Sequence, residues 1–273
     1  MARIVRACLK IVNNLSGKLH LSPGGLLPLI ADSRSKFMSD AIANPYSVAD
    51  APPQERAAFI RRTYLHLAMA ILAFASLEII FFQTGFAGVV ARTVLGGRVS
   101  WLLILGTYFL VSFLTEKWAE NSPSLFIQYL ALTIYVIAEA IIFIPMLYIA
   151  MVFCPPSVLP NAVIITGLLF LGLTVTAFTT RKDFSFLRGI LCIGGSIALG
   201  LIVCSLLFGF GLGMWFSVGM ILFAGAAILY STSKVIHKYN TNQHVAASLS
   251  LFAAVALLFW YVLRLLISFS KSD

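Results

Sequence analysis

Seven stretches of about 20 consecutive apolar residues run through this chain, and each is long enough to cross a hydrocarbon layer about 30 Å thick. They lie near 63–84, 100–118, 125–152, 158–180, 187–208, 213–231 and 246–268. Lipid offers no hydrogen bonds to the backbone, so a spanning segment must be a helix or a strand of a closed barrel. Barrel strands are shorter and alternate apolar with polar residues. These runs do neither, so the reading is an all-α integral membrane protein with seven transmembrane helices. The composition agrees. The chain is 60% hydrophobic and 11% charged, against about 45–50% and about 25% for soluble domains.

Short connections carry turn residues: Gly96-Gly97, Asn121-Ser122-Pro123, Pro155-Pro156 and Gly209-Phe210-Gly211. Ahead of the first span, residues 1–55 form a polar arm, disordered or surface-lying, and 56–273 form the membrane domain. Arg3, Arg6, Lys10 and Lys18 make the first stretch basic, but it lacks the unbroken apolar core of a secretory signal. It reads as a transit segment, a surface helix or a disordered arm. Met38 offers a second candidate start of translation.

The net charge of +9 bears on orientation. Basic residues form no aromatic-interleaved patch, which excludes nucleic acid as a partner. With the N-terminus inside, the inner ends hold Arg56, Arg61, Arg62, Lys117, Arg181, Lys182, Arg188, Lys234 and Lys238. The outer ends hold Arg92, Arg98, Arg264 and Lys271. That bias predicts a cytoplasmic N-terminus.

Ionisable side chains in lipid are costly and each is a site hypothesis. Glu139 lies mid-span, far from either end. It reads equally as a neutral or hydrogen-bonded structural carboxyl and as a cation or proton site. Glu78 and Arg264 sit near outer span ends, where snorkelling to the interface is the default, with Arg264–Glu139 pairing as the alternative. His66 reads as an interfacial hydrogen-bonding side chain. Asp183 is placed to cap the helix that follows it, and Ser196 with Gly200 makes a small-xxx-small pair suited to close helix packing.

Enzyme signatures are weak. Ser231-Thr232-Ser233-Lys234 matches S-x-x-K spacing without partner motifs, Gly194-Gly195-Ser196 has no histidine in a later span, and His237 and His244 are too isolated for zinc. Cys8, Cys154, Cys192 and Cys204 show no CxxC spacing and read as apolar filler. The Asn14 sequon falls in the arm. No cofactor and no enzyme activity are expected.

Several segments together resemble the Bax inhibitor-1 family, the transmembrane Bax inhibitor motif proteins. Phe59-Ile60-Arg61-Arg62-Thr63-Tyr64 is similar to the family's entry into its first helix. Glu139 followed by Pro145 resembles its glutamate-bearing third helix. The most specific match is Thr179-Thr180-Arg181-Lys182-Asp183-Phe184-Ser185-Phe186-Leu187, the loop after the fourth helix. Leu229 to Thr232, then Ala247 to Leu266, follow the sixth and seventh helices. The resemblance implies six helices packed around a central one. It further implies a pH-sensitive calcium leak or, for some bacterial members, modulation of a membrane-bound protease. Asn44-Pro45-Tyr46 looks bacterial, which suggests an inner membrane; a eukaryotic organelle membrane is the alternative.

In calcium-leak members two aspartates on the sixth and seventh helices share a proton, because two close carboxylates do not both ionise easily. Here those positions carry Ser231 and Ala254. Two functions therefore stand side by side. One is a passive calcium or cation pathway using Glu139. The other is a non-conducting partner of membrane proteins such as a quality-control protease.

Overall fold

The computed structural model describes residues 47–121, 124–180 and 182–270. Met38, Cys8, Asn14 and most of the arm lie outside the described residues, as do Arg181 and Lys271. Among the described residues there are eight helices. They are α1 (Pro53–Gln83), α2 (Phe86–Leu95), α3 (Arg98–Asn121), α4 (Leu125–Phe153), α5 (Val158–Thr180), α6 (Leu187–Phe208), α7 (Gly213–His237) and α8 (His244–Ser270). All but α2 are long and apolar enough to cross a membrane, and all seven predicted spans coincide with them.

Pro53 opens α1, where its missing N–H is no loss. The helix then runs through the polar Glu55–Arg62 segment into lipid. At its far end Gly85 takes a left-handed conformation (φ 76°), which turns the chain into α2. No sequence expectation covered α2. It is too short to span and buries one stripe, Ala87, Ala91 and Val94, beside Ile144 of α4. Gly209, also left-handed (φ 77°), stops α6 and donates its N–H to Ser205 O.

The core lies between α4 and α8, the two most buried spans. α8 packs against α1, α3, α4, α5 and α7. At its centre the Phe143 ring stacks on Phe259 (centroids 5.6 Å apart) and meets Trp260 edge-on at 5.0 Å.

At one end of the bundle, polar bonds tie the helices together. Lys234 of α7 pairs with Glu120 of α3 at 2.5 Å. Phe184 N–H donates to Ser233 Oγ at 3.0 Å. Gln128 of α4, fully buried, bridges to Asn242 O and Ala246 N at the start of α8.

At the described end of the arm, Val48 is fully buried, packs beside Tyr239 and Val245, and its N–H donates to Tyr239 O at 2.9 Å. Two expectations change. Asp183 does not cap α6. Phe186 holds that position without a side-chain cap, and Asp183 Oδ1 instead accepts from Ser185 N–H at 2.9 Å, closing the turn before the helix. Ser196 and Gly200 face away from the bundle, and a Cβ at Gly200 would meet nothing. The close approach is at Gly194, where a Cβ would lie 3.0 Å from the Phe223 ring of α7.

Candidate functional site

Glu139 is buried in α4, one turn after Tyr135, which puts both side chains on one face. That face looks toward α3. Tyr108 there donates to Glu139 Oε2 at 2.5 Å, and its oxygen lies 3.3 Å from that of Tyr135. Two phenols from two helices thus converge on one carboxyl, and the burial is compensated by donors rather than by a cation. The Lys234–Glu120 pair is the salt bridge found among the described residues. The alternative in which Arg264 pairs with Glu139 is not what the structure shows.

The carboxyl borders a cavity of about 610 Å³ lined by α3, α4, α6, α7 and α8. Toward the Lys234 end its lining is polar, with Glu116, Ser231 and Ser250. Toward the other end it is aromatic: Trp101 and Trp260 stack with centroids 6.4 Å apart. Arg264 stands at that end too, its guanidinium 5.7 Å from the centre of the Phe216 ring.

Ser231 and Ala254, the positions where the family resemblance would place the acid pair, both line this cavity. Ser231 Oγ meets Ser250 Oγ at 3.1 Å, one turn before Ala254 on α8. A neutral hydroxyl pair therefore stands beside the place where two carboxylates would share a proton. It can pass a hydrogen bond but cannot change charge near neutral pH.

The described part of the loop motif, Lys182 to Ser185, lies at the Lys234 end, away from Glu139. Asp183 is bonded there by Ser185 through both its N–H and its hydroxyl. These bonds hold its carboxyl below the usual range, and Ser185 is the main cause. Asp183 Oδ1 also accepts from Ser233 Oγ at 3.4 Å, so the motif fastens the turn before α6 to the end of α7.

The remaining candidates separate. Lys234 turns to Glu120 and Ser231 to Ser250, so the S-x-x-K spacing brings no lysine onto a serine. His66 donates its Nδ1–H to Arg62 O (2.7 Å) and pairs through Nε2 with Tyr129 OH (2.7 Å), so it is a hydrogen-bonding side chain. Cys154, Cys192 and Cys204 are free thiols. Among the described residues no three His, Cys, Asp or Glu side chains form a metal-binding group.

Glu78 departs from expectation. It does not snorkel: it is 7% exposed, and neither carboxyl oxygen has a hydrogen-bond partner. The cause is directional. Helical side chains lean toward the helix N-terminus, so this one, near the C-terminal end of α1, points deeper instead of out. Sequence reasoning also missed Tyr108 and Ser250. Tyr135 was open to detection through its i, i+4 spacing to Glu139, whereas Tyr108 lies 31 residues away and carried no local signal.

Fold and site together define a multi-pass helical membrane protein with one phenol-bound acid in its core. Residues 56–271 match the family described as inhibitor of apoptosis-promoting Bax1, and the chain belongs to this Bax inhibitor-1 family. An uncharacterized protein of Pseudomonas aeruginosa is 40% identical over 110 residues, 40% of this chain and 49% of its own, so the chain spans about half that relative's length. The Escherichia coli K12 protein named modulator of FtsH protease YccA is 32% identical over 215 residues, 78% of this chain and 91% of its own. LIFEGUARD 4 of Arabidopsis thaliana is 28% identical over 222 residues, 78% and 85% of the two chains.

Proposed function

We propose that this protein is a non-conducting modulator of a membrane-bound protease of the FtsH type, acting by contact rather than by catalysis. The observation that carries this reading is the similarity, over 91% of its length, to the E. coli protein whose name is modulator of FtsH protease. The cavity supports it. Glu139 is already bound by Tyr108, the positions that the resemblance gives to the acid pair carry Ser231 and Ala254, and stacked tryptophans and a cationic Arg264 stand at one end. A passing cation would find little compensation for its lost hydration.

The membrane is proposed to be a bacterial inner membrane, with the N-terminus cytoplasmic. Arg56, Arg61, Arg62, Lys117, Lys182, Arg188, Lys234 and Lys238 all lie at the Lys234 end, which supports that orientation. The test is crosslinking in native membranes followed by purification of the tagged full chain. An FtsH-type protease among the crosslinked species is the expected result. A protease-free preparation from membranes that contain the protease counts against the reading.

A second reading, a gated calcium or cation pathway, is favoured by one observation: Glu116, Ser231, Ser250 and Glu139 line a single cavity with oxygen atoms, the ligands hard cations prefer. Calcium-dye flux in liposomes, wild type against Glu139→Gln, tests it. Leak that depends on Glu139 supports this pathway, and tight vesicles exclude it.

A further inference from the structure

A second hollow of about 610 Å³ lies between α1, α4, α5 and α8, on the other side of Phe143 from the Glu139 cavity. Phe74, Phe82, Leu147, Phe170 and Phe259 make its walls apolar. Its rim carries Ile79, Met151 and Val163, which are 57%, 54% and 56% exposed. On a membrane span such residues face lipid, so the hollow opens sideways into the bilayer rather than toward water.

Two buried polar side chains border this apolar groove. Glu78 is 7% exposed and Thr166 5%, and neither the Glu78 carboxyl oxygens nor Thr166 Oγ1 has a hydrogen-bond partner. Thr63, Thr174 and Thr232 share this orphan state elsewhere in the bundle, but Thr166 is the threonine that borders the groove together with Glu78. Thr133, Thr176 and Thr179 each donate to the carbonyl one turn back, the default for a helical threonine in lipid. An orphan carboxyl and an orphan hydroxyl in hydrocarbon are strongly unfavourable unless an occupant completes them.

Depth selects the occupant. Glu78 lies five residues before the end of α1, about 8 Å along the axis, and Thr166 eight residues after the start of α5, about 12 Å. The first depth is that of the boundary between headgroups and acyl chains. The second is a few ångströms further in, where a lipid's ester carbonyls lie below its head.

We propose that this groove seats a bilayer lipid whose headgroup carries a primary ammonium. The ammonium donates to Glu78, an ester carbonyl accepts from Thr166, and one acyl chain fills the apolar trough. An ammonium brings three donors and the opposite charge to a carboxylate that no cation among the described residues serves. An anionic head would be repelled, and a quaternary one has no N–H to give.

The test uses the full chain in detergent, with lipid retention read by native mass spectrometry. The probes are phosphatidylethanolamine, its mono- and dimethylated forms, phosphatidylcholine and phosphatidylglycerol, all with the same acyl chains. The wild type should hold the ethanolamine lipid about tenfold more tightly than the choline lipid, with a stepwise fall on methylation. Glu78→Gln should remove that preference. Thr166→Val should weaken all five alike, since they share the ester. Equal retention across the series overturns the proposal, as does a preference that survives Glu78→Gln. Binding of dodecylamine without discrimination among the phospholipids also overturns it, since the site would then take a free amphiphile. Should Glu78→Gln fail to fold, dicyclohexylcarbodiimide labelling of wild-type protein in vesicles gives the second readout. Peptide mapping should show Glu78 modified more slowly in phosphatidylethanolamine than in phosphatidylcholine vesicles; equal rates overturn the proposal.

Discussion

Tyr108 on α3 donates a 2.5 Å hydrogen bond to Glu139 on α4, and that single contact settles how a carboxyl sits at the centre of this bundle. It joins two helices through a polar pair, with the Tyr135 hydroxyl 3.3 Å from that of Tyr108. Tyr108→Phe removes the donor that touches the acid and leaves Tyr135 as the nearest phenol. The expected cost is about 1–3 kcal/mol, read as a lower unfolding midpoint of the detergent-solubilised protein. Glu139→Gln retains an acceptor for the phenol and should cost less than Tyr108→Phe.

Packing gives the next expectation. At Gly194 a Cβ would approach Phe223 to 3.0 Å, whereas at Gly200 it would meet open space. Gly194→Val should destabilise by about 1–3 kcal/mol through overpacking. Gly200→Ala should be neutral or stabilising by up to about 1 kcal/mol, since it removes backbone freedom without a clash. Thermal melts of the two variants side by side check the contrast.

The two changes also show what local pattern conveys and what it does not. The seven spans were readable because a continuous apolar run of about 20 residues has one structural meaning in lipid. Small residues spaced by four do not say which of several faces meets a partner, so Ser196 and Gly200 were singled out while Gly194 makes the contact. Glu139 stood out as a charge in an apolar run. Its donor Tyr108 did not, because a tyrosine in a span is ordinary and the pairing is made only when α3 meets α4. Helix α2 was hidden for another reason: ten residues with one narrow apolar stripe look like a connection until the wall they cover is known. Val48 was hidden by its polar surroundings and by Pro52-Pro53, since nothing local reveals the recess near Tyr239.

The Lys234–Glu120 pair is half open to solvent on the Glu120 side, at 47% exposure. A double-mutant cycle with Lys234→Met and Glu120→Gln should give a coupling below about 1 kcal/mol that shrinks as salt is raised. The Tyr230 and Tyr239 rings, 5.7 Å and 4.9 Å from Lys234 Nζ, give the lysine further contacts beyond that pair. Lys234→Met should therefore cost more than Glu120→Gln.

Asp183 sets a pH dependence whose sign is fixed. Its carboxyl is held below its ordinary value of 3.8, chiefly by the Ser185 hydroxyl. A depressed folded-state value favours the native protein once the unfolded group is ionised, and this advantage is lost as pH falls through the folded value. The stability difference between wild type and Asp183→Asn should stay constant from pH 7 to about 4.5 and narrow below about 3.8. Melting curves across that range check it, and Ser185→Ala should shrink the effect.

The most direct test of the modulator reading is proteolysis of a membrane substrate by an FtsH-type protease reconstituted in one vesicle population, with and without this protein. A substrate half-life that changes in proportion to the protein added, in vesicles that stay tight to calcium, is the predicted result. An unchanged half-life in vesicles that leak calcium, with the leak abolished by Glu139→Gln, would contradict it.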